Sequence, residues 1–404
     1  MNDVNVFSEI GKLKKVIVHR PGEELNNLTP DVMEELLFDE IPYLKIAQEE
    51  HDCFVKVLRD NNVEVLYLED LVTDVIADRK IKEQLIEEYI LENTIDIDKE
   101  KKILKTKLLE IEDSKSLVLK MMEGTRRVEI DNYRKESLYE MVSSWMKFTA
   151  LPMPNLYFTR DPFSFVGNSV SLNRMWSKTR NRETLFGKYI FKYHRDFKDI
   201  QFLYNRDNQY AIEGGDILVL SKEILAIGIS QRTKAKAVEE FCRNLFEKQP
   251  NFKKVLAFAI PKKRKFMHLD TVFTMVDKDL FTIHPCIEDP LVVYSIEKNG
   301  NKLKIEQENC TLKYTLEKNL EIENIKLIPC GGESKVDSER EQWNDGSNTL
   351  AIAPREIIVY DRNTVTNKIL EENGTKLHKI KSGELSRGRG GPRCMSMPII
   401  REEI

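Results

Sequence analysis

Glu384-Leu-Ser-Arg-Gly-Arg-Gly-Gly-Pro-Arg-Cys-Met-Ser-Met-Pro398 is the stretch around which this chain is organised. Gly388, Gly390 and Gly391 are interleaved with Arg387, Arg389 and Arg393, and Cys394 follows directly. Glycines at this density let a backbone approach a ligand closely. Arginines hold permanent charge beside it. A cysteine among cations can titrate low and act as a nucleophile. Taken alone, the stretch equally fits a basic tail with an incidental thiol. Three clusters upstream make the difference.

The first is Pro154-Asn-Leu-Tyr-Phe-Thr-Arg-Asp161-Pro162, where Asp161 sits at a strand end or turn and an Asx turn is the plain alternative. The second is Ile212-Glu213-Gly-Gly-Asp216, two carboxylates separated by glycines. The third is Phe266-Met-His268-Leu-Asp270, which on a strand would point His268 and Asp270 to one face. A lone histidine is usually a satisfied core residue; a His-x-Asp pair answering a distant cysteine is harder to dismiss. No His-Glu-x-x-His or cysteine pair occurs, so no metal is expected. Paired carboxylates suit a planar guanidinium, whose carbon is electrophilic only while its charge is held in place. A thiolate can then attack it, and a histidine can protonate the departing nitrogen and later activate water.

Working outward, residues 14–19 read as a β-branched strand ending at Arg20-Pro21-Gly22, with His19 and Arg20 read as loop-capping residues. Residues 42–60 carry helical spacing, and 63–68 form a second strand. From 43 to 151 there is no proline, and Gly124 is the only glycine. Residues 71–149 are rich in Glu, Lys, Leu and Ile, and predict an inserted helical bundle domain without chemistry of its own. Strand texture returns after Pro154, with runs at 156–159, 188–193, 217–220, 224–228, 254–258, 271–276, 280–284, 291–296, 325–329, 349–353, 356–360 and 375–380. Helical stretches fall near 233–248, 310–319 and 364–372. This punctuation predicts repeated α/β modules rather than one long sheet. The division is 1–70 with 150–404 as one α/β domain and 71–149 as the insertion.

The 404 residues hold 63 Lys plus Arg against 67 Asp plus Glu, a net charge of −4, which gives no basic surface for nucleic acid. No run of 18 apolar residues exists and the first residues lack an apolar run, so neither a membrane span nor a signal peptide is expected. The six cysteines are scattered, which favours reduced thiols in a cytoplasm.

Together the motifs resemble the bacterial arginine deiminase family of guanidino-modifying enzymes: Val18-His-Arg-Pro-Gly22, Asn155 to Pro162, Glu213-Gly-Gly-Asp216, Met267 to Thr274, and Arg387 to Pro398. The resemblance covers nearly the whole chain. It implies a five-module α/β propeller (pentein-like) fold, and hydrolysis of L-arginine to L-citrulline and ammonia without a cofactor. By motif, Cys394 is similar to the family's nucleophile and His268 to its acid and base. Asp161 and Asp270 match the guanidinium-binding aspartates, and Glu213 the carboxylate that supports the histidine. Asn155, Arg180 and Arg232 look like the residues holding the amino-acid end, with Arg174 and Arg182 as neighbours that could replace Arg180. Phe158 would wall the pocket, and Arg389 resembles a mobile gate. A homo-oligomer, dimer or tetramer, is expected. Agmatine deiminase, an amidinotransferase, or a silent arginine-binding or thiol-sensing protein are the alternatives.

Overall fold

The structure is a computed structural model that describes residues 4–92, 97–130, 133–143, 145–262, 264–287 and 291–404. Among these, five sheets repeat one pattern: a central strand pairs antiparallel with one neighbour and parallel with the other. The central strands are Leu13–Val18, Ser169–Leu172, Ile224–Ile229, Leu280–Ile283 and Glu356–Tyr360. Their antiparallel neighbours are Met397–Arg401, Phe163–Val166, Ile217–Val219, Phe273–Asp277 and Leu350–Ala353. Their parallel neighbours are Glu64–Tyr67, Gln201–Tyr204, Lys254–Ala259, Lys326–Pro329 and Lys376–Ile380.

A parallel pair needs a crossover, and here each crossover contains a helix. Leu44–Asp60, Thr184–Tyr193, Ala235–Lys248, Leu312–Leu320 and Thr364–Glu372 lie between the central strand and its parallel partner. Ala235–Lys248 shows why: Ala237, Val238, Phe241, Cys242, Leu245 and Phe246 are buried, a one-sided stripe at helical spacing. In the first unit the antiparallel strand is the chain's last, Met397–Arg401, so the C-terminal segment completes the sheet begun at Leu13. A hairpin, Val292–Asn299 with Lys302–Glu308, widens the third sheet.

Between the first and second units the chain forms the helices Leu68–Val75, Arg79–Glu92, Asp98–Glu110 and Ser114–Glu123. Leu85, Ile86, Tyr89, Leu104, Leu117 and Met121 share one core there. Two short strands, Thr125–Arg126 and Phe148–Ala150, pair antiparallel at the end of this region. The helical texture therefore begins three residues before position 71 and is interrupted at 125.

Several local expectations are corrected. Residues 156–159 are not a strand; Pro154 opens a 3-10 turn, Pro154–Tyr157, and its fixed φ suits that position. Residues 188–193 are the second half of a helix in which Leu185, Phe186, Tyr189, Ile190 and Phe191 are all buried; an apolar run buried on most sides reads alike for helix and strand. His268 and Asp270 are not strand neighbours, because Leu269–Thr271 is another 3-10 turn and the strand begins at Phe273. The strands at 163–166, 169–172, 201–204, 302–308 and 397–401 and the helix Lys335–Trp343 lie outside the expected set. Among the described residues no helix is long and apolar enough to cross a membrane.

Candidate active site

The antiparallel strand of each unit is preceded by a polar residue at nearly the same place. Asp161 stands two residues before Phe163, Glu213 four before Ile217, Asp270 three before Phe273, Asn348 two before Leu350 and Cys394 three before Met397. Strand ends are where side chains from separate sheets can converge on one space.

Cys394 Sγ lies 3.6 Å from Asp270 Oδ2. Its backbone N–H donates to Asn348 Oδ1 at 3.1 Å, and the Arg393 N–H donates to the same oxygen. Asn348 Nδ2 in turn donates to the Asp270 carbonyl. One asparagine thus fixes the nucleophile's backbone and its neighbouring aspartate together. His268 Nε2 lies 2.8 Å from Glu213 Oε2, and its Nδ1 lies 3.7 Å from Asp161 Oδ1. Gly215 is required behind that ring, since a Cβ there would sit 2.6 Å from His268 Nδ1. Trp176 N–H donates to Glu213 Oε1 and keeps the carboxylate facing the histidine.

Asp161 and Asp270 are handled alike. Arg180 Nη1 donates to Asp161 Oδ2 at 2.9 Å, and Arg393 Nη1 donates to Asp270 Oδ2 at 2.8 Å. The second oxygen of each, Asp161 Oδ1 and Asp270 Oδ1, is buried with no hydrogen-bond partner. Unsatisfied buried acceptors are rare, and each calls for an explanation. Two such oxygens beside a thiol and an imidazole are suited to the paired N–H donors of a guanidinium.

The electrostatics separate acid from nucleophile. Burial pushes the Cys394 thiol well above its ordinary value; Asp270, Asp161 and Asp345 add to this and Arg393 opposes it. For His268, burial favours the neutral ring, but Asp161 and the hydrogen-bonded Glu213 outweigh it and raise the imidazole to about 9. Burial likewise opposes charge on Glu213, yet Arg232 and His268 bring it down to about 2. At neutral pH these shifts favour an imidazolium, a carboxylate and a protonated thiol.

Two of the remaining expected residues, Arg232 and Arg180, contact the site's carboxylates. Arg232 Nη1 lies 3.7 Å from Glu213 Oε2, with its guanidinium 5.1 Å from the Trp176 ring centroid. Arg180 spans Asp161 and Glu183. Its neighbour Arg182 instead donates to the Leu151 and Pro152 carbonyls. Asn155 is buried and donates to the Leu36 carbonyl. Phe158 packs on Gly390, where a Cβ would approach its ring to 2.3 Å. Arg389 has a positive φ of 65° and lies flat on Trp343, its guanidinium carbon 3.5 Å from the ring centroid. His19 takes no part; it is buried between Glu69 and Glu24 and caps its loop.

Sequence reasoning missed three contributors. Asn348 shows no signal except its place before the fifth unit's first strand. Arg393 was visible as one charge among several, but its clamp on Asp270 was not. Glu9, on the opposite end of the chain, accepts from Arg393 Nε at 2.9 Å and completes that clamp.

Asp161, Glu213 and His268 also bring one ligand atom each within 4.8 Å of one another, the geometry of a small cation site. A metal there would have to displace Arg180 and Arg232 from the carboxylates and a proton from His268. The donor set as arranged suits an organic cation better.

A buried thiol set against aspartates, across from an imidazolium held by a glutamate, defines a cysteine-centred site for a planar cationic group on an α/β scaffold. Comparison with known proteins narrows the class. A family model described as arginine deiminase matches residues 34–401. The chain is 57 % identical to an arginine deiminase of Streptococcus sanguinis over 404 residues, covering 99 % of each. It is 56 % identical to one of Streptococcus pneumoniae over 405 residues, again covering 99 % of each. This chain belongs to the arginine deiminase family. Its fold is shared with an amidinotransferase from Microseira wollei in saxitoxin biosynthesis, at TM-score 0.56 and 13 % identity over 100 % of this chain and 98 % of that one. It is also shared with a dimethylarginine dimethylaminohydrolase, at TM-score 0.52 and 14 % identity over 96 % and 99 %.

Proposed function

We propose that this chain hydrolyses L-arginine to L-citrulline and ammonia through a covalent thiouronium on Cys394. The observation that carries the reading is the matched pair of buried oxygens without a hydrogen bond, Asp161 Oδ1 and Asp270 Oδ1, beside Cys394 and His268. Family membership supports the substrate.

The guanidinium donates to these oxygens and brings its carbon to the sulfur. Its positive charge favours release of the thiol proton to solvent, and the thiolate attacks the carbon. His268 gives a proton to one terminal nitrogen, and ammonia leaves. Its Nε2 is tied to Glu213, so Nδ1 is the atom that turns toward the leaving group. The now neutral imidazole takes a proton from water, the hydroxide adds to the same carbon, and the C–S bond breaks. The adduct's hydroxyl proton is released as the carbonyl forms, and citrulline departs. Cys394, expelled as a thiolate, regains a proton from solvent once the guanidinium charge is gone, and His268 is again protonated. Water is the only co-reactant, so the cycle needs no cofactor.

Asn155, Arg180 and Arg232 are assigned to the substrate's amino-acid end, Phe158 to the pocket wall and Arg389 to the entrance. The five repeated sheets, each contributing one residue before its antiparallel strand, support a five-module propeller around the site. Residues 1–70 and 150–404 then form the catalytic domain and 71–149 the inserted bundle. Free thiols at Cys53, Cys242, Cys310, Cys330 and Cys394 support a reducing, cytoplasmic setting. The exposed side chains of Leu138, Tyr139, Val142 and Trp145 support assembly into a homo-oligomer.

The test is a stoichiometric assay with purified protein. Citrulline and ammonia in equal amounts from L-arginine are expected, with negligible turnover of agmatine. Preference for agmatine, or transfer of the amidino group to an added amine, would replace this reading with one of its relatives.

A further inference from the structure

Three carboxylates of the pocket have a cation in contact. Asp161 has Arg180, Glu213 has His268, and Asp270 has Arg393. Asp345, nearby, is 3 % exposed, and its Oδ2 is buried without a hydrogen-bond partner. Among the described residues its side chain accepts no hydrogen bond and forms no ion pair.

Its place in the fold is fixed from both sides. Two residues earlier, Trp343 carries the Arg389 guanidinium. Three residues later, Asn348 holds the Cys394 backbone N–H and the Asp270 carbonyl, and the Asn348 N–H closes the loop onto the Asp345 carbonyl at 2.9 Å. Asp345 adopts a φ of 57°, a left-handed conformation that aspartate tolerates better than most residues. Asp345 acts on the Cys394 sulfur in the same sense as Asp270 and Asp161. The charged groups bearing on it are Arg389, Asp270 and Arg362. Arg389 is engaged by Trp343 and lies 3.9 Å from Asp39, and Arg362 donates to Ser386.

We propose that Asp345 is the charge-selecting residue of the pocket: a buried carboxyl group with no cation in contact, held on the loop that also fixes Cys394, whose counter-ion is the substrate guanidinium. Asp161 and Asp270 already favour the guanidinium, because a urea carries a carbonyl in place of one N–H donor group and no charge. Asp345 adds a preference that depends on the ligand's charge and not on a hydrogen bond already made in the site. The cationic substrate is thereby favoured over the neutral product, and product release follows from loss of the same charge. Burial pushes Asp345 up to about 7 against the pull of Arg389, as expected for a carboxylate with no cation in contact.

The inference rests on the arginine reading of the site. Its test uses Cys394→Ala protein, in which both arginine and citrulline can be bound without turnover. Adding Asp345→Asn should weaken arginine at least about tenfold and citrulline less than about twofold in calorimetric titrations. Asparagine matches aspartate in shape and accepts the positive φ. The thermal midpoint of the Asn variant should therefore not fall, and Asp345→Glu should recover part of the discrimination. In the Cys394 protein, Asp345→Asn should raise KM for arginine more than it lowers kcat. Equal weakening of both ligands, or unchanged arginine affinity, would overturn the assignment. Absence of citrulline from the unaltered protein would instead overturn the function it rests on.

Discussion

Cys394 Sγ and Asp270 Oδ2 stand 3.6 Å apart, while the same aspartate oxygen accepts from Arg393 at 2.8 Å. The nucleophile thus faces a carboxylate already partly neutralised from behind. Without Arg393 the aspartate would disfavour the thiolate more strongly; without Asp270 the substrate would lose an orienting acceptor.

That relationship predicts the behaviour of the thiol. In the empty enzyme it is held above its usual range by burial, Asp270, Asp161 and Asp345. A bound guanidinium places a positive charge about 4 Å from the sulfur, an attraction on the order of 4 kcal/mol at an effective dielectric near 20 before desolvation reduces it. Thiolate absorbance followed against pH should therefore show the Cys394 transition at lower pH with a non-reactive guanidinium analogue bound. A transition that stays put or moves upward would rule out substrate-assisted ionisation.

Cys394→Ser should leave the fold intact and reduce citrulline formation to background. A serine hydroxyl ionises far less readily, and its nearest acceptor, Asp270, is already engaged by Arg393. Unchanged circular dichroism with no citrulline is the expected pair of results; substantial citrulline would exclude thiolate catalysis.

Activity should fall as pH rises through about 9, where His268 loses its proton. The sign follows from the mechanism, because only the imidazolium can protonate the departing nitrogen. The same group links to stability. Its folded-state value exceeds the unfolded one of about 6.5, so its contribution is complete below that value and is lost on rising through about 9. Glu213→Gln removes one of the groups holding the proton, and the basic limb of kcat/KM should move to lower pH. An unmoved limb would assign it to another residue.

Replacing Asp270 with Ala should harm both turnover and folding. A charged hydrogen bond to substrate is worth about 1.5–3 kcal/mol, and misorientation of the carbon adds a rate loss. Arg393 would also be left buried with Glu9 as its remaining anionic partner, so the thermal midpoint should drop. Asp161→Ala should show the same kinetic loss. A variant that only raised KM would show that its aspartate binds without orienting.

Gly215→Ala tests geometry alone. The added Cβ would approach His268 Nδ1 to 2.6 Å, forcing the ring off Glu213. A loss in kcat of at least about tenfold is expected with a modest change in thermal midpoint. Full activity would show that the ring has room to shift.

Much of this protein was legible before any coordinates. Cys394, His268, Glu213, Asp161 and Asp270 were all marked by short motifs, those of Glu213 and Cys394 by glycines that allow close backbone approach. The helical texture of 71–149 was visible because glycine and proline, apart from Gly124, are missing there. Strand positions such as 217–220, 254–258 and 356–360 followed from β-branched runs bounded by turns. What the sequence could not determine depends on approach in space. Whether 188–193 is helix or strand was decided by burial on most sides, which erases the period that would tell them apart. The alternation that put His268 and Asp270 on one strand face was replaced by a 3-10 turn, since hydrogen bonding within Leu269–Thr271 outweighed the local pattern. Asn348, Glu9 and Arg393 became partners because five sheets bring their strand ends to one place. Which oxygens of Asp161, Asp270 and Asp345 go without a hydrogen bond is decided only by the folded arrangement. A linear chain lists its charges, but only the folded one determines which of them remain uncompensated.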